Sequence, residues 1–425
     1  MKLVRATGKG GDVASAAIEA LTARGAAPYK RVLPQARRIV DAVRRGGDPA
    51  LVRLRAKLDR VTSQSPLRIP SIELQLAWES TPAPLQQALK TAARNIRAFA
   101  VRQRPKDFDL KPAPGVTTGQ RVVPLASVGC YIPSGRYPLP STLLMTAIPA
   151  QVAGVERIVA VSPHPARETL AAAYLLGISE FYRVGGAHAI AALAYGTDTI
   201  SAVDKIVGPG NAWVTAAKKL VAFDCSIDML AGPTEAVVTS ETGDPNLIAA
   251  DLVAQAEHDP DTLTIFITTC TDLAKFVTAA VTTLAKGNPL ATTAVTNRGL
   301  AIVARTVDEA HALTNRIAPE HLTVDSATDL AWVRNAGSVF IGRWSAQPLG
   351  DYISGPNHTL PTGGLARSRG GLSVLDFVRL ITIQEYSETG VRALGPAAHL
   401  LAEAEGLTAH AAAISARLPK GAEHD

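Results

Sequence analysis

Four short stretches of this 425-residue sequence gather side chains able to hold a metal or move a proton. In DPNLIAADLVAQAEHD, Asp244 followed by Pro245 reads as a helix start, because the carboxylate can cap free N–H groups and proline suits the first turn. Asp251, Gln255 and His258 then fall at i, i+4 and i+7 and share one face of that helix. An imidazole beside amide and carboxylate oxygens is a metal-capable set. The plainer reading is a polar helix end with a capping histidine. In APEHL, Glu320 and His321 are adjacent and could divide acid–base work, since imidazole titrates near neutrality and a carboxylate can activate water. The stretch LGDYISGPNHTLPTGG (349–364) sets Asp351 and His358 in a Gly/Pro loop too irregular for an ordinary connector, and such loops carry function. Glu405 and His410 lie in AEAEGLTAH. Spacing alone does not bring the four stretches into one site.

A second class of feature concerns nucleotides. YIPSGRYPLPS (131–141), VGGAHA (184–189) and VGPGNAW (207–213) are three Gly/Pro-rich turns, each following an apolar run and opening a helix. At the C-terminal ends of parallel strands such turns let a phosphate approach backbone N–H groups at a helix N-terminus. None is a G-x-G-x-x-G fingerprint, and the chain has no Walker A motif. Each alone fits a tight turn; three in one segment favour a nucleotide cofactor.

The elements that must position these groups follow from periodicity. Residues 1–120 read as mostly helical, with apolar residues at helical spacing through 34–54 and 71–101. RPKDFDLKPAPGVTTGQRV reads as a turn-rich hinge. From about Pro124, the runs VGCYIP, RIVAVSP, EFYRVGG, DKIVGPG and SIDMLAGP alternate with helical stretches. EAVVTS, LTIFIT, LAIVAR and SVFIG repeat that grammar, which is the pattern of parallel α/β units. The expected fold is α/β: two tandem, incomplete Rossmann-like parallel domains with a helical N-terminal segment and a helical C-terminal tail. The expected division is a helical arm at 1–30, a large α/β domain from 31–125 with 234–371, a nucleotide-binding domain at 126–233, and a tail at 372–425.

Composition sets bounds on function. The chain is 47% hydrophobic and 19% charged, as for a globular protein with a sizeable core. A net charge of +6 from 43 basic and 37 acidic residues, mostly scattered, suits a solvated surface better than a nucleic-acid site. Three cysteines without CxxC spacing do not make a disulfide framework. No signal-peptide pattern and no 18-residue uncharged apolar run appears, so no membrane span is expected and the cytoplasm is the expected compartment.

Taken together, the motifs resemble the histidinol dehydrogenase family from about residue 30 to residue 415, in order and with similar spacing. The segments that carry the resemblance are VGCYIPSGRYPLPSTLLMTAIPAQVAGV, GGAHAIAALAYGT, VDKIVGPGNAWVTAAKKLV, DMLAGPTEAVV, DLVAQAEHD, RIAPEHL, NAGSVFIG, GDYISGPNHTLPTGG and EGLTAH. The resemblance implies NAD-dependent oxidation of L-histidinol to L-histidine through histidinaldehyde. It implies zinc bound by Gln255, His258, Asp351 and His410, and an acid–base pair of Glu320 and His321. Substrate would meet Ser141, Thr234, His358 and Glu405 together with Gln255, His258, His321, Asp351 and His410. Tyr131, His188 and Asn211 would contact the nicotinamide cofactor. The family forms homodimers in which the C-terminal tail reaches the partner's active site. Departures from the family pattern are His188 for glutamine, Trp213 for another aromatic residue, Thr234 for serine, and Arg136 and Tyr137 for two small residues of the first turn. A paralogue oxidising another small alcohol, such as a sulfonated propanediol bound by Arg136, is the nearest alternative. A zinc hydrolase would leave the three Gly/Pro turns unexplained, and HExxH is absent.

Overall fold

The computed structural model describes residues 1–6, 11–22, 29–62, 65–134 and 137–418. Its strands, in chain order, are β1 (Lys2–Arg5), β2 (Phe108–Ala113), β3 (Val116–Pro124), β4 (Ser127–Tyr131), β5 (Arg157–Val161), β6 (Glu180–Tyr182) and β7 (Lys205–Val207). They continue with β8 (Ser226–Ile227), β9 (Glu235–Thr239), β10 (Leu263–Thr268), β11 (Leu300–Val303), β12 (His321–Val324), β13 (Ser338–Ile341) and β14 (Val378–Tyr386). Among the described residues they form two parallel sheets and one antiparallel sheet. The first parallel sheet has the order β6-β5-β4-β7-β8, the second β1-β11-β10-β9-β12-β13, and the antiparallel one β14-β3-β2.

The central strands of each parallel sheet are buried on both faces, as crossover helices require. Strand β4 is buried along its whole length, and so is β9. The two expected α/β modules are therefore present. Their helical partners differ from the expected grouping. Tyr29, Ala36, Val40, Val43 and Leu51 of the helix Tyr29–Leu54 pack with Val159, Ile190 and Val214 of the first sheet's layer. Leu74, Leu89 and Ile96, from the helices Ser71–Glu79 and Ala83–Gln103, pack with Leu143, Met145 and Phe181 on its other face. Residues 29–103 thus complete the nucleotide-side sheet rather than joining 234–371, because their apolar stripes match its crossover helices.

Three further expectations are corrected. The N-terminal arm opens with a strand, β1, which extends the second sheet by pairing parallel with β11. The segment expected as a hinge folds into the β2–β3 hairpin. The tail is not wholly helical, since β14 pairs antiparallel with β3 over nine residues, from Val378 opposite Pro124 to Tyr386 opposite Val116. The helices Glu388–Ala404 and Thr408–Ser415 follow. Leu380, Ile381, Ile383 and Tyr386 of β14, Phe108 and Leu110 of β2, and Leu400 and Leu401 of the tail are exposed large apolar residues. No described helix is long and apolar enough to cross a membrane.

Candidate active site

In the first sheet the strand order reverses at β4, whose neighbours are β5 and β7. The C-terminal ends of β4 and β7 flank the crevice where open α/β sheets take a ligand. Gly208, just past β7, has φ +113°, and a Cβ there would strike the Tyr131 carbonyl at the end of β4. Only glycine permits that approach. The Gly208 peptide is clamped at both ends: its N–H donates to Asp228 Oδ2 (2.8 Å) and its carbonyl accepts from Lys218 Nζ (2.6 Å). Lys218 and Asp228 are themselves a buried ion pair, 2.6 Å apart.

The other two turns meet the first here. Tyr131 is buried, and its hydroxyl accepts from Gly186 N (3.1 Å). Burial pushes this phenol up to about 12, so it stays protonated. His188 is 1% exposed and its Nε2 lies 2.8 Å from Asp59 Oδ2, which also accepts from Gly185 N. Tyr131 and His188 therefore brace the second turn from inside. Asn211 is exposed and caps the helix Ala212–Val221 by accepting from Trp213 N and Val214 N. Arg136, the candidate anion contact, lies outside the described residues; its neighbour Tyr137 is exposed.

The acid–base residues stand on the opposite kind of edge. His321 is the first residue of β12 and pairs in register with Ala236 of β9 and Ser338 of β13. Glu235 and Glu320 lie on this same N-terminal edge of the second sheet. Glu320 Oε2 accepts from Glu235 N (2.9 Å), and Glu235 Oε1 accepts from Gly363 N (2.8 Å). At the C-terminal edge of this sheet, the protein's own carboxylates accept from backbone N–H groups. There Asp325 accepts from Glu241 N, and Glu241 accepts from Thr269 N.

Asp351 gathers the remaining groups. It sits in the helix Gln347–Tyr352; its Oδ1 accepts from His321 Nε2 (3.2 Å) and its Oδ2 from Gln255 Nε2 (2.9 Å). His358 Nδ1 donates to the Asp351 carbonyl (2.7 Å), which leaves the Nε2 lone pair of the neutral ring available. His321, Asp351 and His358 line one cavity of about 330 Å³ with Asn357, Phe340 and Trp344. Asn357 Nδ2 donates to the Met145 carbonyl (2.6 Å) and ties this loop to the helix Pro140–Ala153, which carries buried Ser141. Thr234 immediately precedes β9. Thus Gln255, Glu320, His321, Asp351 and His358, scattered in sequence, converge. His258, three residues past Gln255, is close enough for its charge to act on His358. Glu405 and His410 are exposed and do not line the cavity.

Electrostatics separates the two carboxyls beside His321. Burial pushes Glu320 up to about 8, with His321 pulling it back in part. Burial also opposes the Asp351 charge, but its hydrogen bond to His321 and that histidine's charge hold it below the ordinary carboxylate range. For His321, burial is outweighed by Glu320 and Asp351, and the ring is held above its ordinary value. His358 is lowered by burial. Two carboxyls driven apart in this way mark one as a proton carrier and the other as a fixed charge.

The donor set suits zinc in kind: an amide oxygen, a carboxylate and imidazoles. It is incomplete in number, since no group of three or more His, Cys, Asp or Glu side chains able to hold a metal occurs among the described residues. Asp251, the third member of the helix face, does not join the set; its Oδ1 accepts from Gln347 N (3.3 Å). Sequence reasoning missed Asp59, Lys218, Asp228, Glu235 and Gln347, which make their contacts across distances no local pattern encodes.

Residues 22–418 match the family model for histidinol dehydrogenase. The chain belongs to the histidinol dehydrogenase family. It is 44% identical to the histidinol dehydrogenase of Gluconobacter oxydans over 412 residues, covering 94% of this chain and 96% of that protein. It is 45% identical to that of Geobacillus kaustophilus over 395 residues, covering 90% and 93%. The crystal structure of histidinol dehydrogenase from Elizabethkingia anophelis superposes with a TM-score of 0.91 at 34% identity, covering 98% of both chains. The chain is accordingly an oxidoreductase of histidinol dehydrogenase type.

The raised Glu320 carboxyl has a measurable consequence in metal-free protein. The unfolded carboxyl titrates near 4.5 and the folded one near 8, so between these values the native state holds the proton longer. Native stability therefore falls as pH rises through that window. Glu320→Gln removes the penalty, and its Tm advantage over the parent should grow by about 3 °C or more between pH 5 and pH 9. A constant difference across that range would show that Glu320 is not held protonated.

Proposed function

We propose that the chain oxidises L-histidinol to L-histidine in two successive NAD-dependent steps, with histidinaldehyde kept in one site. The observation that carries this reading is that His321, Asp351 and His358 line one cavity, with Gln255 bonded to Asp351 and Glu320 beside His321. NAD would lie across the crevice bounded by Tyr131, His188 and Asn211, and when bound it accepts the hydride of each step. Gln255, His258 and Asp351, with His410 of a second copy, would hold zinc, which fixes the substrate's imidazole and amine nitrogens when present.

His321 takes the hydroxyl proton of the alcohol as hydride leaves. Its two ring nitrogens face carboxyls: Nε2 meets Asp351 Oδ1, and Nδ1 lies 3.7 Å from Glu320 Oε2. Asp351 keeps its charge and stabilises the imidazolium so formed. Glu320 then serves the second half, where its elevated basicity suits it to take a proton from the water that hydrates the aldehyde. His321 acts again as the hydrate loses its hydride, and the carboxylate product leaves. His358, with its Nδ1 spent on the Asp351 carbonyl, offers Nε2 to the substrate; Ser141, Thr234 and Glu405 complete its surroundings. Retaining the aldehyde in one site prevents loss of a reactive intermediate.

A homodimer completes this scheme. The antiparallel sheet and tail expose apolar residues on several elements, and Glu405 and His410 stand away from their own chain's cavity. A second copy seated on that surface supplies both to the site.

Two experiments test the reading. Incubation with L-histidinol and excess NAD should yield two NADH per histidine formed; one NADH per histidinol with free aldehyde accumulating would refute the four-electron scheme, and turnover of only a sulfonated diol would favour the paralogue. Mixing His410→Ala with His321→Ala subunits should restore about a quarter of parental turnover, because half the random dimers carry one intact site. If each tail serves its own chain, no activity returns.

A further inference from the structure

Asp251 lies on the helix face that carries Gln255, one turn back from it, but its acceptor faces a different element. Its partner, Gln347, is likewise one turn back from Asp351. Thr323 stands two residues beyond His321 on β12, so both point to the same face of the sheet. The contacts in this second set repeat those of the first. In the outer layer, His321 Nε2 donates to Asp351 Oδ1 (3.2 Å) and Gln255 Nε2 to Asp351 Oδ2 (2.9 Å). In the inner layer, Gln347 Nε2 donates to Thr323 Oγ1 (3.0 Å) and Gln347 N to Asp251 Oδ1 (3.3 Å). The same strand and the same two helices are thus tied together twice, one helical turn apart.

We infer that Thr323, Gln347 and Asp251 are positioning residues that set where His321, Asp351 and Gln255 stand, with Gln347 as the centre of that layer. This rests on the reading in which His321 and Asp351 carry the reaction. The helix Gln347–Tyr352 has six residues and no side-chain cap at its N-terminus. So short a helix does not hold its own register, and its free first N–H needs an acceptor. Asp251 supplies that acceptor, and its negative charge suits the positive end of the helix. Gln347 fixes the same helix to the sheet at a point 0% exposed to solvent. Its Oε1 is buried with no hydrogen-bond partner among the described residues. An amide satisfied at one end is a costly core residue, and an apolar side chain of equal volume would avoid the cost. What the amide contributes is direction: it sets the rotation of the helix and with it the carboxylate that His321 and Gln255 share. Residues that orient ligands from behind typically change metal affinity or activity by about 10–100-fold when lost.

The test uses the zinc-loaded full-length dimer and reads five quantities: kcat, the KM values for L-histidinol and NAD, zinc retention against a chelator, and Tm. Gln347→Met and Asp251→Val should each lower kcat or chelator-competed zinc affinity by about tenfold or more, with the KM for NAD within twofold. Asp251→Asn, which keeps an acceptor oxygen, should recover most of the Asp251→Val loss. Thr323→Val changes no volume and breaks only the bond from Gln347; a fall in kcat of about threefold or more is expected even if Gln347→Met proves too unstable to assay. If these variants lower Tm while kcat and zinc retention stay within twofold of the parent, the layer is structural only and the inference is overturned. Asp351→Ala run in parallel separates the two readings: parental turnover in that variant would remove the site itself, whereas its loss beside unaffected inner-layer variants removes only the positioning role.

Discussion

One largely buried carboxylate, Asp351, accepts hydrogen bonds from an imidazole that opens a strand and an amide on a separate helix. Taking such a charge out of water is expensive, and it is tolerated only where the geometry and the remaining hydrogen bonds are good. Here burial favours protonation, and contact with His321 reverses that preference. The requirement propagates outward. β12 must begin at residue 321, the helix Pro245–Ala256 must end with Gln255 facing inward, and the helix Gln347–Tyr352 must bring Asp351 between them. Glu320, next to His321 and driven the other way by burial, can then carry a proton while Asp351 cannot.

The two parallel sheets contribute opposite edges to this arrangement. The first offers the C-terminal ends of β4 and β7, where Gly208 and Tyr131 make a crevice fit for a nucleotide. The second offers its N-terminal edge, where Glu235, Glu320 and His321 lie. The edges are joined by the segment 228–234 and by the loop that follows Asp351. Thr362 Oγ1 accepts from Gly232 N (2.5 Å), and Asn357 reaches the Met145 carbonyl in the first module. These contacts tie the C-terminal edge of the first sheet to the N-terminal edge of the second.

Much of this was legible in sequence, and the exceptions have physical causes. The apolar runs in VGCYIP, RIVAVSP, EFYRVGG, DKIVGPG, SIDMLAGP, EAVVTS, LTIFIT, LAIVAR and SVFIG all became strands, because residues buried on both faces read as continuous apolar stretches. β12 was missed because its first residue is a histidine rather than an apolar residue and only His321–Val324 is extended. β14 was missed because most of its residues are exposed, so neither alternation nor a solid apolar run marks it. The helices of residues 29–103 were recognisable, but the sheet they cover depends on tertiary packing that periodicity does not encode. In the site, Glu320–His321 and the Gln255 face stood out as local pairs. Their union through Asp351 came from family resemblance, and the supporting residues Glu235, Gln347 and Asp228 left no local signal at all.

The central claim is that the Asp351 charge holds the site together. Asp351→Asn preserves shape and removes that charge, and the decisive measurement is zinc content per chain alongside kcat for L-histidinol in the folded variant. The account predicts loss of bound zinc and a fall in kcat of about 100-fold, with thermal stability equal to the parent or higher. Full zinc occupancy with turnover within threefold of the parent would contradict it.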